Sequence, residues 1–258
     1  MISNSKLGSE IEISKLGMNF ESKSGTVIAL HDIDLNIARG EFVCVVGPSG
    51  CGKSTLLNLV AGLRTSSTGG VSIDGQKVSQ PQTNVGIVFQ RDVLLEWRTA
   101  LQNVLFQIEM RGLDPRDYLD RAKELLSMLG LEEFLHHRPS ELSGGMRQRV
   151  AICRALIHDP PLLLMDEPFG ALDALTREQL MIELSRLWQS TSKTVLFITH
   201  SIQEALFLGD RVIVMSKRPG EVMKDIKVDI ARPRKLSESI LKFSAYTSEV
   251  RGLLGIQD

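Results

Sequence analysis

The segment GPSGCGKST (47–55) constrains this chain more than any other stretch. It follows the apolar run EFVCVVG (41–47) directly and opens the helix-type pattern STLLNLVAGL (54–63). The pattern GxxxxGK[ST], held between a buried strand and a helix, is a phosphate cradle. Small residues let backbone amides converge on an anion, and the helix N-terminus adds partial positive charge. Gly47, Pro48, Ser49, Gly50, Cys51 and Gly52 are therefore expected to form the loop and Lys53 to reach the β- and γ-phosphates. The Ser54 hydroxyl is expected to ligate Mg²⁺, and Thr55 to touch the α-phosphate. A chance glycine-rich turn would match the bare pattern, but not the strand and helix that flank it.

Around the cradle the hydrophobic pattern is that of an α/β core. IEISKLGMNF (11–20) and VIALHDIDLNIA (27–38) alternate as antiparallel strands, and GGVSIDGQKV (69–78) reads as a hairpin before the strand VGIVFQ (85–90). From 92 to 157 the apolar positions recur at helical spacing, as in RAKELLSMLGLEEFL (121–135), which predicts an inserted helical subdomain. The core resumes with LLLMDEP (162–168), TVLFITH (194–200) and RVIVMS (211–216), continuous apolar runs separated by helices. Such runs belong to a parallel sheet buried on both faces. The expected fold is α/β: a P-loop core with a mainly parallel sheet, an antiparallel β subdomain at the N-terminus and the helical insertion. The domain is placed at 10–232, with EVMKDIKVDI (221–230) as edge strands and a C-terminal tail at 233–258.

Charge excludes one class of partner, since 30 basic residues against 31 acidic ones give no positive field for nucleic acid. Cys44, Cys51 and Cys153 show no CxxC spacing and sit in apolar or glycine-rich stretches, which fits a reducing compartment. No apolar run approaches the length of a spanning helix, and the opening MISNSKLGSEIEIS lacks a signal-peptide pattern. Any membrane role is expected to pass through a partner.

LLLMDEP ends in two carboxylates at a strand terminus, the crevice end where open parallel sheets bind ligands. Asp166 is placed to hold Mg²⁺ through its water shell, and Glu167 to accept a proton from an attacking water. Alone, such a pair would equally suit a helix N-cap; the cradle favours the catalytic reading.

ELSGGMRQRVAICRAL (141–156) is similar to the signature sequence of the ABC ATPase family, with LSGG intact at 142–145 and an ALD segment (171–173) like the family's D-loop. The resemblance spans roughly residues 10 to 230. Ser143, Gly144 and Gly145 stand ahead of a helix and would offer a hydroxyl and amides to an anion. The resemblance implies that this anion is the γ-phosphate of an ATP held by the Lys53 loop of a second ATPase subunit, so that two chains, identical or not, enclose two nucleotides head to tail. Met146 stands where the family most often has glutamine. By the same resemblance Gln90 is the glutamine that touches Mg²⁺ or the attacking water, His200 contacts the γ-phosphate and steadies Glu167, and Phe20 stacks on adenine.

The same resemblance implies a transport ATPase using ATP and Mg²⁺. It would lie peripherally on the cytoplasmic face of a membrane, beneath two permease subunits and, indirectly, a periplasmic or extracellular solute-binding protein. A soluble ABC ATPase of repair or translation would carry a coiled-coil insertion or two cassettes. A P-loop kinase would lack LSGG. The segment VFQRDVLLEWRTALQNV (88–104) resembles the nitrate, sulfonate and taurine importer group, with Glu96 where proline is usual. From Gln90 to about Asn103 it is expected to help form a groove for a short permease helix, exposing Leu94, Leu95 and Trp97; packing under the helical subdomain is the alternative.

Overall fold

The computed structural model describes residues 8–22 and 25–256. Two sheets meet across the cradle. A four-stranded antiparallel sheet has the order β2-β1-β4-β5, with β1 Ile11–Ser22, β2 Gly25–Ile37, β4 Thr68–Ile73 and β5 Gln76–Lys77. A six-stranded sheet has the order β10-β9-β3-β8-β7-β6, from β3 Phe42–Val46, β6 Val85–Val88, β7 Leu162–Asp166, β8 Thr194–Ile198, β9 Arg211–Met215 and β10 Val222–Lys227. All its pairs are parallel except β10 with β9.

The unbroken apolar runs are explained by two cores. Side chains alternate across a strand, so Phe42, Cys44 and Val46 enter one hydrophobic cluster while Val43 and Val45 enter the other. Val195 and Phe197 likewise oppose Leu196 and Ile198. The second cluster is closed by Leu56, Leu57 and Val60 of α1 (Lys53–Val60) and by the antiparallel sheet; the first is closed by the remaining helices. A fully buried Phe or Leu contributes about 1.5–3 kcal/mol, so both faces hold the strand ends firmly.

Between β6 and β7 lie α2 (Ala100–Glu109), α3 (Leu119–Met128) and α4 (Gly144–Leu156). Thr99 starts α2 with a capping box: its hydroxyl accepts from Gln102 N, and the Gln102 side chain accepts from Thr99 N. Then α5 (Ala174–Thr191) and α6 (Ile202–Leu208) alternate with strands, and α7 (Leu236–Leu254) adds Phe243 and Val250 to the first core. Several strand ends fall earlier than the apolar pattern indicates. β6 stops at Val88, so Gln90 stands past it in a bend, and β8 stops at Ile198, so His200 also lies beyond its strand.

Candidate active site

The loop 47–52 owes its shape to glycine. Gly50 (φ 74°) and Gly52 (φ 110°) occupy the left-handed region. A Cβ on Gly52 would lie 2.6 Å from Leu30 Cδ2 and 2.9 Å from the Ala29 carbonyl oxygen. Gly52 is also the N-cap of α1, where no side chain caps the helix, so the first-turn amides face the loop's interior. Lys53 is only 5% exposed, and its ammonium donates to the carbonyls of Gly47 (2.8 Å) and Pro48 (3.0 Å). Among the described residues no carboxylate forms an ion pair with it. The cradle is therefore electropositive. Cys51 is buried, and burial raises its thiol pKa, which makes it unreactive loop filling.

Facing the loop, Ser54 Oγ donates to Asp166 Oδ1 at 3.0 Å. Burial pushes the Asp166 carboxyl above its usual range, with the Ser54 hydrogen bond pulling the other way. Glu167 has φ 44°, unusual for a residue with a side chain, and is held there by donating its amide to Ile198 O at 2.9 Å. Its Oε2 lies 3.0 Å from His200 Nδ1.

A cavity of about 450 Å³ collects Phe20, Ser49, Gly50, Gly52, Lys53, Ser54, Thr55, Gln90 and Glu167. Phe20 is half-buried, with the Arg64 guanidinium 5.2 Å from its ring centre. Asp166 reaches the cavity through Ser54, and His200 through Glu167. Gly47 and Pro48 stand behind Lys53. Ser143, Gly144 and Gly145 do not line this cavity. Ser143 caps α4 by accepting from Met146 N, and a Cβ on Gly145 would lie 2.5 Å from Thr176 Cγ2.

Sequence reasoning missed Arg218, which lines the same cavity and donates to Gly50 O at 3.0 and 3.2 Å. Its loop is sewn to β2 by Gly220 N to Ala29 O and His31 N to Gly220 O, both 3.0 Å. The turn KRPG (217–220) was the available signal, but the pairing is long-range.

One expectation is corrected. Leu94 is not exposed: it is 8% accessible and belongs to the first core, and Leu95 is half-buried. The cause is Asn103, fully buried on α2, which accepts from Leu95 N at 2.8 Å and whose Nδ2 lies within 3.1 Å of the carbonyls of Leu95, Arg98 and Thr99. That knot turns Leu94 inward. Trp97 is 70% exposed, as expected, and Val93 and Phe89 join it at the surface. Phe89 and Val93, with Phe106, Met110, Arg111, Arg154 and His158, line a second cavity of about 410 Å³.

The family model described as ABC transporter matches residues 30–170. The taurine import ATP-binding protein TauB of Rhizobium johnstonii is 49% identical over 86% of this chain and 85% of that protein. The nitrate import ATP-binding protein NrtD of Synechocystis sp. is 43% identical over 95% of this chain and 94% of that protein. Among solved structures, the dimeric post-hydrolysis state of an ATP-binding cassette bound to ADP and Pi superposes with a TM-score of 0.76. It is 36% identical and covers 86% of this chain and 100% of that one. With an electropositive cradle, a paired carboxylate and histidine, and relatives matched along most of its length, this chain belongs to the ABC transporter family as an ATP-binding, ATP-hydrolysing subunit.

Proposed function

We propose that this chain drives an importer as one of two identical ATPase subunits that close head to tail on two ATP molecules. One observation carries the reading: the cavity gathers Phe20, Lys53, Gln90 and Glu167, while Ser143, Gly144 and Gly145 open α4 outside its wall. A helix start with a serine and two glycines suits a phosphate, and a second copy would bring one. The relative solved as a dimer with ADP and Pi supports this arrangement. Residues 10–232 are taken as the ATPase domain, with the helical subdomain at about 92–157 and the tail at 233–258.

In this scheme Phe20 stacks on adenine, and the loop from Gly47 to Thr55 holds the phosphates. Lys53 exchanges the carbonyls of Gly47 and Pro48 for β- and γ-phosphate oxygens. Glu167 takes the proton of the attacking water; His200, beside its carboxylate, fixes its direction and contacts the γ-phosphate. Gln90 reports the γ-phosphate to the helices beyond it. The residues present fit Mg²⁺, because the Ser54 hydroxyl and a carboxylate that burial makes reluctant to ionise are 3.0 Å apart, and a dication would relieve that cost. Ser54, Asp166 and Gln90 would hold it. When bound, it neutralises charge on the transferring phosphoryl oxygens.

No helix among the described residues is long and apolar enough to cross a membrane. In the proposed assembly two permease subunits form the path, a solute-binding protein delivers cargo from outside, and this chain sits peripherally on the cytoplasmic face. The groove lined by Phe89, Val93 and Met110 receives a short permease helix, with the exposed Trp97 of the same loop as a further contact. Relatives named for taurine and nitrate import support a small solute of the nitrate, sulfonate or taurine type, bearing an oxoanion group. Those names also disfavour a non-transport ABC ATPase.

Ser143→Arg tests the composite site. In a Glu167→Gln background, with ATP on a sizing column, it should leave the chain monomeric while ATP binding by the single subunit persists. Full dimer would overturn the head-to-tail reading.

A further inference from the structure

Glu204 on α6 is 3% exposed and lies outside the nucleotide cavity. A buried carboxylate is costly unless it is answered by donors or charge. Two groups answer it. Thr199 Oγ1 donates to Glu204 Oε2 at 2.5 Å, and Arg177 Nε stands 3.7 Å from Glu204 Oε1. Burial still holds the carboxyl above its usual range, against the Thr199 hydrogen bond and the Arg177 charge.

The first contact clamps His200 from both sides. Thr199, 1% exposed, precedes it and is anchored to β3 by donating its amide to Val45 O at 3.1 Å. Ser201 comes after it, donates its amide to Thr199 Oγ1 at 2.9 Å, and accepts the Glu204 amide on its own hydroxyl at 3.3 Å. Thr199 thus meets the Glu204 carboxylate directly, Ser201 meets only the Glu204 amide and is tied to the carboxylate through the Thr199 hydroxyl, and His200 between them meets Glu167 at 3.0 Å.

The second contact leads elsewhere. Arg177 lies in the first turn of α5, donating its amide to Asp173 O at 3.0 Å and Nη2 to Leu172 O at 2.8 Å. Its Nε has no hydrogen-bond partner, so Glu204 answers it through space alone. Thr176, the residue before it, is the side chain against which Gly145 of α4 rests.

We propose that Glu204 is a positioning residue for ATP hydrolysis: through Thr199 and Ser201 it sets His200 against Glu167, and through Arg177 it registers that pair to the α5 turn that supports the LSGG helix. The proposal rests on the assignment of Glu167 and His200 to hydrolysis. Because, in the proposed head-to-tail pair, the LSGG helix faces a different ATP from the one hydrolysed beside Glu167, the link joins the two sites of a closed pair within one subunit.

The test is steady-state ATPase of the full chain, with ATP affinity and melting temperature measured beside it. Glu204→Gln keeps the shape and an acceptor for Thr199 but removes the charge facing Arg177. It should lower kcat by about tenfold to a hundredfold, the scale of a small misplacement near the chemistry, with KM and ATP affinity within about twofold. Its melting temperature should not fall, since a neutral amide is cheaper to bury. Thr199→Val should reproduce the loss of turnover and Thr199→Ser should restore it. Arg177→Met added to Glu204→Gln should cost no more than Glu204→Gln alone. Wild-type kcat in both Glu204→Gln and Thr199→Val, or losses that track melting temperature across the set, would overturn the proposal. Glu167→Gln serves as the control: if it also turned over normally, the hydrolytic assignment beneath the proposal would fail, whereas an inactive Glu167→Gln beside active Glu204 variants would remove the proposal alone.

Discussion

His200 Nδ1 lies 3.0 Å from Glu167 Oε2 although 33 residues separate them, and Glu167 holds that position at a φ of 44°. Backbone in this region costs a residue with a side chain on the order of 1–3 kcal/mol and persists where the surroundings overdetermine it. Here the Ile198 carbonyl on one side and the turn from Glu167 O to Gly170 N on the other impose it. The consequence is a carboxylate aimed into the phosphate cavity instead of along the strand.

Lys53→Ala should fail at nucleotide binding itself. The ammonium rests on two neutral carbonyls, so its charge is available to phosphate. A charge-assisted contact of this kind contributes about 1.5–3 kcal/mol, or roughly tenfold to a hundredfold in affinity. Equilibrium titration with ATP measures this, and undiminished affinity would contradict the cradle.

Trp97→Ala should weaken assembly with the membrane subunits while sparing the subunit. At 70% exposure the indole contributes little to the fold, so the melting temperature should hold, as it does for most surface substitutions. An aromatic anchor at an interface contributes about 2 kcal/mol, roughly thirtyfold in affinity. Recovery of the permease with a tagged chain from detergent-solubilised membranes should fall accordingly. Normal assembly would move the docking surface away from Trp97.

Acid should destabilise the chain partly through His158, which lines the groove beside Arg111 and Arg154. Burial, with Arg111 and Lys193 adding repulsion, lowers its pKa from 6.5 to about 4. The unfolded chain therefore binds the proton first. The stability of neutral His158 is fully present above about pH 6.5 and is lost as pH falls toward 4. Urea midpoints measured from pH 7 down to 4.5 should drop more steeply for wild type than for His158→Gln. Parallel curves would show that His158 is not the group.

The features legible in advance were local. The cradle, the carboxylate pair and the LSGG helix start each hold their chemistry within a few consecutive residues, and Phe42 to Val46 declares its two-sided burial by having no polar position. The features that were not legible depend on distant pairing. β4 pairs with β1 from Ile11 to Ser14 and again at Gly17, across a register shift next to Lys15 at φ 45°, and that long-range pairing left no mark on the hairpin at 69–78. Leu94 looked exposed because Asn103, which turns it inward, acts across a turn that no periodicity marks. Arg218 and Glu204 carried no motif. Gly50 is the partner of the first, and Thr199 and Arg177 are the partners of the second, each contact made by the tertiary fold.

Steady-state ATPase of Glu167→Gln, measured beside its ATP affinity and its ATP-dependent dimerisation, tests most directly whether this chain hydrolyses ATP between two copies with Glu167 as the proton acceptor. The substitution preserves the size of the side chain and leaves Lys53, Ser54 and Asp166 untouched. Turnover should therefore fall by about a hundredfold or more while ATP still binds and the closed dimer accumulates. Turnover near the wild-type rate would contradict the account.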